Sequence, residues 1–123
     1  TLMKPYLLDR VVSVGGEEVK KFLPEAYGSL MTADEAGKLT ELMKAVTDVG
    51  TGSAVRTEDY TAAVKTGTAE FETGKETHAW FTGFAPAEAP KIAVTVLVEE
   101  SGSGGQIAGP VARAMFDAYL LKK

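Results

Sequence analysis

The sequence has no cysteine among its 123 residues, so disulfides and thiolate metal sites are excluded. It has a single histidine, His78, and without a second imidazole or any thiolate no metal site is expected. No apolar run approaches the roughly 18 residues of a membrane helix. The opening Thr1-Leu2-Met3-Lys4-Pro5 lacks the charged and apolar regions of a signal peptide. A soluble chain without a membrane segment is the expectation. Basic clusters are also missing: 13 Lys and Arg are scattered among 17 Asp and Glu, for a formal charge of −4, which argues against nucleic acid as a partner.

What is present reads as one α+β domain. Residues 6–14 are apolar and β-branched, Gly15-Gly16 suits a two-residue turn, and residues 17–22 intersperse charged residues with Val19 and Phe22, which predicts an N-terminal β-hairpin. After a connector over residues 24–30, Thr32 and Glu35 form a capping-box signature, and Leu39, Leu42, Met43, Val46 and Val49 fall at helical spacing. Gly50 stands where a left-handed C-terminal residue is wanted. Three strands follow, over residues 64–70, 78–84 and 91–98, with connections short enough for an antiparallel meander. In the third strand Ile92, Val94, Val96 and Val98 alternate with Ala93, Thr95 and Leu97, so both faces call for cover. A glycine-rich turn at residues 101–105 leads to a closing helix, with Pro110 in its first turn and Lys122 and Lys123 at its carboxyl end. Its core face is expected on Ile107, Val111, Ala114, Met115, Ala118 and Leu121.

The chemistry concentrates in Val64-Lys65-Thr66-Gly67-Thr68-Ala69-Glu70. Alternation puts Lys65 and Gly67 on one face and Thr66 and Thr68 on the other, and a bulge at Gly67 would bring the polar groups together at the rim. With no Cβ at Gly67, a ligand can approach the backbone and meet N–H groups suited to an oxyanion. Other candidates carry less. Gly50-Thr51-Gly52-Ser53 lacks the lysine and spacing of a phosphate loop, and the turn at 101–105 lacks the third glycine of a dinucleotide fingerprint, so no nucleotide cofactor is expected. Trp80, Phe81 and Phe84 read as core, His78 as a strand residue facing a loop, and Glu70, Glu72, Glu76, Glu99 and Glu100 as solvated carboxylates.

The Lys65-Thr66-Gly67-Thr68-Ala69 box stands ahead of His78-Ala79-Trp80-Phe81-Thr82-Gly83-Phe84-Ala85-Pro86, then a third strand, a glycine-rich turn and a proline-containing helix. This succession resembles the carboxyl-terminal part of the transpeptidase domain of penicillin-binding proteins, which share a superfamily with serine β-lactamases. Met3-Lys4-Pro5-Tyr6-Leu7-Leu8-Asp9-Arg10-Val11 and Val49-Gly50-Thr51-Gly52-Ser53-Ala54 are similar to segments that precede the box in that family. The Thr-Ala-Glu continuation and the His-Ala-Trp-Phe strand look more like class B than class A. One departure is plain. No serine has a lysine three positions later, since Ser13, Ser29, Ser53, Ser101 and Ser103 lead to Gly16, Thr32, Arg56, Gly104 and Gln106, and the chain contains no asparagine. The Ser-x-x-Lys and Ser-x-Asn boxes are thus absent, and residues 1–123 are expected to be the last part of such a domain, inactive alone.

The resemblance implies a serine D,D-transpeptidase that cross-links peptidoglycan stem peptides through an acyl-serine intermediate and is trapped by β-lactams. It implies catalytic roles for Lys65, in the hydrogen-bond network, and for Thr68, whose N–H is one oxyanion donor. Thr66, Gly67 and Thr68 would bind the substrate, which adds along the strand by backbone pairing. It places the parent protein at the outer face of the bacterial cytoplasmic membrane. Without the amino-terminal part of the domain, one sheet face and the edge of the third strand would lie open, so a homo-oligomer is expected. The alternative is a non-catalytic module that takes up a peptide at the same sheet edge.

Overall fold

The computed structural model describes residues 1–121, so the expected pairing of Lys122 and Lys123 with the helix end lies outside the described residues. The chain divides into two units, Thr1–Ala36 and a larger one beginning at Gly37.

In the first unit β2 (Arg10–Val12) pairs antiparallel with β3 (Glu18–Lys21), the expected hairpin. The turn is longer than two residues. Ser13 N–H donates to Glu17 O and Gly16 N–H to Ser13 O, and only Gly16 takes a positive φ, of 86°, giving a three-residue loop that closes on a left-handed glycine. The connector hides a strand: β4 (Ala26–Gly28) pairs antiparallel with β1 (Leu2–Met3). Pairs this short carry no periodicity to read. No residue of this unit is buried.

Helix α1 spans Ala33–Asp48. The capping box forms as expected: Thr32 N–H donates to Glu35 Oε2 at 2.8 Å and Glu35 N–H to Thr32 Oγ1 at 3.3 Å. Its apolar stripe is largely uncovered, with Leu39, Leu42 and Val49 exposed and Val46 packed against the core. The helix is attached instead near its carboxyl end. Buried Thr47 donates to Ala62 O at 2.8 Å, and Lys44 pairs with Glu88 at 3.1 Å. Gly50 does not adopt the left-handed conformation expected of it. It is close approach that limits this position, since a Cβ would stand 3.0 Å from Val46 Cα and O.

The second unit is built on an antiparallel sheet in the order β5 (Ala63–Ala69), β6 (His78–Ala85), β7 (Ile92–Val98), the meander read from the sequence. One turn of 3-10 helix (Ser53–Val55) precedes it, and a π-helical turn (Gly104–Ala108) leads into α2 (Gly109–Leu120) after it. The register pairs Phe81 with Val96 and Thr66, so Thr66, Phe81, Val94 and Val96 look toward α2. Phe81, Val64, Val55 and Phe116 are fully buried between sheet and helix. The helix meets the sheet through Ala108, Ala112 and Phe116 at i,i+4 spacing, and this corrects the expected core face. Ile107, Val111, Met115 and Leu121 are exposed. Both stripes of α2 are apolar, and the one with alanines lets the helix lie close to the sheet.

The other sheet face carries Lys65, Gly67, Trp80, Thr82, Thr95 and Leu97. Trp80, read as core, is 39% exposed here. It alternates with Phe81 and so falls on the face away from α2. Thr82 and Thr95, directly opposite each other, share a hydroxyl–hydroxyl bond of 2.9 Å.

Candidate active site

The bulge at Gly67 that would have brought the polar groups together does not form. Residues 63–69 pair one to one with residues 84–78, without a shift of register. The four polar positions therefore stay divided, Lys65 and Gly67 on the face with Trp80, Thr66 and Thr68 on the face with Phe81. What they share is the edge. β5 is the first strand of the sheet, so one of its sides is unpaired among the described residues and its backbone groups there are available to an extended ligand.

Lys65 is exposed, and its Nζ donates to the carbonyl of the next residue, Thr66, at 2.6 Å. The ammonium is thus folded along β5 beside Gly67. Thr66 is half-buried, with its Oγ1 2.6 Å from Thr51 Oγ1. Gly67 lies over Trp80, whose Cβ is 3.2 Å from the place a Cβ of residue 67 would take. Any side chain there would push against the indole, so the backbone stays bare for a visitor from solvent. Thr68 is exposed. A cation, an accessible strand edge and a free hydroxyl along one short segment can hold a carboxylate and offer N–H donors to an oxyanion.

Sequence reasoning gave Thr51 no part in the site; it sits in the run that lacks the lysine and spacing of a phosphate loop. Two successive features carried the signal, a Gly-Thr-Gly turn after a helix and a threonine in the strand, but spacing cannot reveal that their hydroxyls meet. Thr51, Ser53, Ala54, Ser103, Gly105, Gln106 and Pro110 line an open cleft of about 490 Å³ on the α2 side. His78 does face a loop: its ring stacks on Phe71 with centroids 4.1 Å apart, and Nδ1 accepts from Glu100 N–H at 3.1 Å. Among the described residues, no group of three or more His, Cys, Asp and Glu is placed to hold a metal ion.

Residues 1–117 match the family model described as the penicillin-binding protein transpeptidase domain. The chain belongs to this family. It is 36% identical over 126 residues to the peptidoglycan D,D-transpeptidase PbpA of Mycolicibacterium smegmatis, covering 96% of this chain and 26% of that protein. Against the peptidoglycan D,D-transpeptidase MrdA of Haemophilus influenzae it is 40% identical over 86 residues, covering 58% of this chain and 13% of that protein. Among solved structures, penicillin-binding protein A from M. tuberculosis, a ceftriaxone acyl-enzyme complex, superposes with a TM-score of 0.83 at 36% identity, over 96% of this chain and 28% of that one. The transpeptidase-domain chain thus spans about a quarter or less of the length of these curated relatives. Its α+β architecture, with a three-stranded sheet, two helices and a hairpin, is that of the penicillin-binding proteins. Among the described residues no helix is long and apolar enough to cross a membrane.

Proposed function

We propose that this chain is the Lys-Thr-Gly part of a serine-type peptidoglycan D,D-transpeptidase. The observation that carries the reading is the edge position of β5, where Lys65, Gly67 and Thr68 border an unpaired backbone row. Lys65 supplies positive potential and a proton-bearing group to the hydrogen-bond network around the reacting serine. Thr66, Gly67 and Thr68 line the substrate strand, and Thr68 N–H takes the oxyanion of the tetrahedral intermediate, an interaction that strengthens as charge develops. Attack by the serine on the penultimate D-alanine carbonyl expels the terminal D-alanine, and an amino group of a neighbouring stem peptide then displaces the serine. A β-lactam acylates the same serine. PbpA and the acyl-enzyme complex of penicillin-binding protein A support this by their likeness.

Residues 1–123 contain neither a Ser-x-x-Lys box nor an asparagine, so the nucleophile and its lysine are supplied by other residues of the protein. Labelling with a fluorescent penicillin tests both points. The full protein should form a stoichiometric adduct that survives denaturation, and residues 1–123 alone should form none. A stoichiometric adduct on residues 1–123 alone would overturn the assignment of the nucleophile, and an unlabelled full protein would overturn the function. The parent acts at the outer face of the cytoplasmic membrane, where its substrate is. Self-association of these residues is part of the proposal, and the exposure of Trp80 and Leu97 on one sheet face supports it. Sedimentation velocity at micromolar concentration should show more than a monomer; a compact monomer would contradict it.

A further inference from the structure

Three backbone and hydroxyl contacts converge on β5 from the α2 side, away from the face that bears Lys65. Thr51 Oγ1 lies 2.6 Å from Thr66 Oγ1. Gly104 is buried against the paired residues Gly67 and Trp80: a Cβ on it would stand 2.4 Å from Gly67 O and 2.1 Å from Trp80 O. A Cβ on Gly105 would stand 2.2 Å from Thr51 O and 3.6 Å from Thr66 Cγ2. Neither glycine has a positive φ, so space and not backbone conformation demands glycine at both. The π-helical turn is thereby wedged between the sheet and the Thr51 loop, and it locks the loop that holds Thr66.

We propose that Thr51, Gly104 and Gly105 are positioning residues for the transpeptidation reaction, a wedge that fixes residues 66–68 where the substrate strand and the oxyanion need them. This rests on the function proposed above. None of the three lies on the Lys65 face, and they act only through the placement of β5. A displacement of about 1 Å at a reacting centre costs up to about 10²-fold in rate, so a shift of residues 66–68 is expected to be felt in acylation.

The test compares Thr51→Val, which keeps the shape and removes the hydroxyl, with Thr51→Ser, which keeps the hydroxyl, in the full protein. Two quantities are read: the second-order rate constant of acylation by a fluorescent penicillin, and hydrogen exchange of the amides of residues 66–68 relative to β7. Thr51→Val should slow acylation by about tenfold or more and raise exchange at residues 66–68, and Thr51→Ser should stay within about twofold of the wild type in both. Wild-type acylation in Thr51→Val, or equal losses in Thr51→Val and Thr51→Ser, would overturn the proposal. If the wild type is not acylated at all, the proposed function fails, and unchanged exchange in Thr51→Val would then separately overturn the wedge.

Discussion

The Tyr60 hydroxyl donates to Asp117 Oδ1 at 2.6 Å, which ties the loop before β5 to α2. Arg113 completes the cluster: its Nε lies 2.7 and 2.8 Å from the two Asp117 oxygens, and its terminal nitrogen donates to Arg56 O at 3.0 Å. Burial, reinforced by the bond to Asp117, holds the Tyr60 hydroxyl well above its ordinary pKa. Burial alone would raise the Asp117 carboxyl, but the Tyr60 and Arg113 donors outweigh it and hold it below its ordinary value.

Tyr60→Phe removes a partly buried bond to a charged acceptor and should cost about 1 kcal/mol at pH 7, read from urea unfolding. The alkaline limb should also change. A hydroxyl raised in the folded state contributes stability that is full below the unfolded value near 10 and is lost as pH rises above it. The wild type should therefore lose more stability than Tyr60→Phe between about pH 9.5 and 11. Parallel pH profiles would contradict this cluster. At the acid end, the depressed Asp117 contributes above about pH 4, and that contribution is lost as pH falls through its folded pKa.

On α2, Phe116 is fully buried and Met115 is 46% exposed. Phe116→Ala should cost about 3–5 kcal/mol, and Met115→Ala well under about 1 kcal/mol. Urea midpoints for the two variants decide which stripe of the helix faces the sheet. Equal costs would contradict the face assigned here.

Legibility followed the length of each pattern. The β5–β6–β7 meander and the Thr32–Glu35 capping box could be read because alternation and a four-residue motif are local and repeat or close on themselves. The β1–β4 pair was not legible, since two or three residues define no period. On α2 the apolar residues surround most of the helix, so periodicity could not choose between Val111–Met115 and Ala112–Phe116; only the close packing of Ala108 and Ala112 decides. The site was legible as a segment and not as a geometry. Lys65 through Thr68 are singled out as candidates by type and order, whereas the absence of a bulge and the Thr51–Thr66 contact depend on residues distant in sequence.

The capping box offers a local check on α1. The Glu35 carboxyl is held below its ordinary pKa, first by Thr32 N–H and then by the Thr32 hydroxyl. In Thr32→Ala the hydroxyl goes and the backbone donor stays, so the Glu35 titration followed by carbon NMR should move up part of the way toward its ordinary value. A depressed carboxyl contributes stability above the unfolded value near 4.3 that is lost as pH falls through the folded one. An unmoved Glu35 titration would contradict the box.

Lys65 is the only cation on β5 and is exposed, so its replacement should spare the fold. The acylation rate constant of Lys65→Ala in the full protein, with its unfolding midpoint, tests most directly whether this strand serves acyl transfer. The rate constant should fall by about 10²–10³ with the midpoint unchanged. An unchanged rate constant would contradict the assignment of Lys65, and with it the reading of β5 as the strand of the active site.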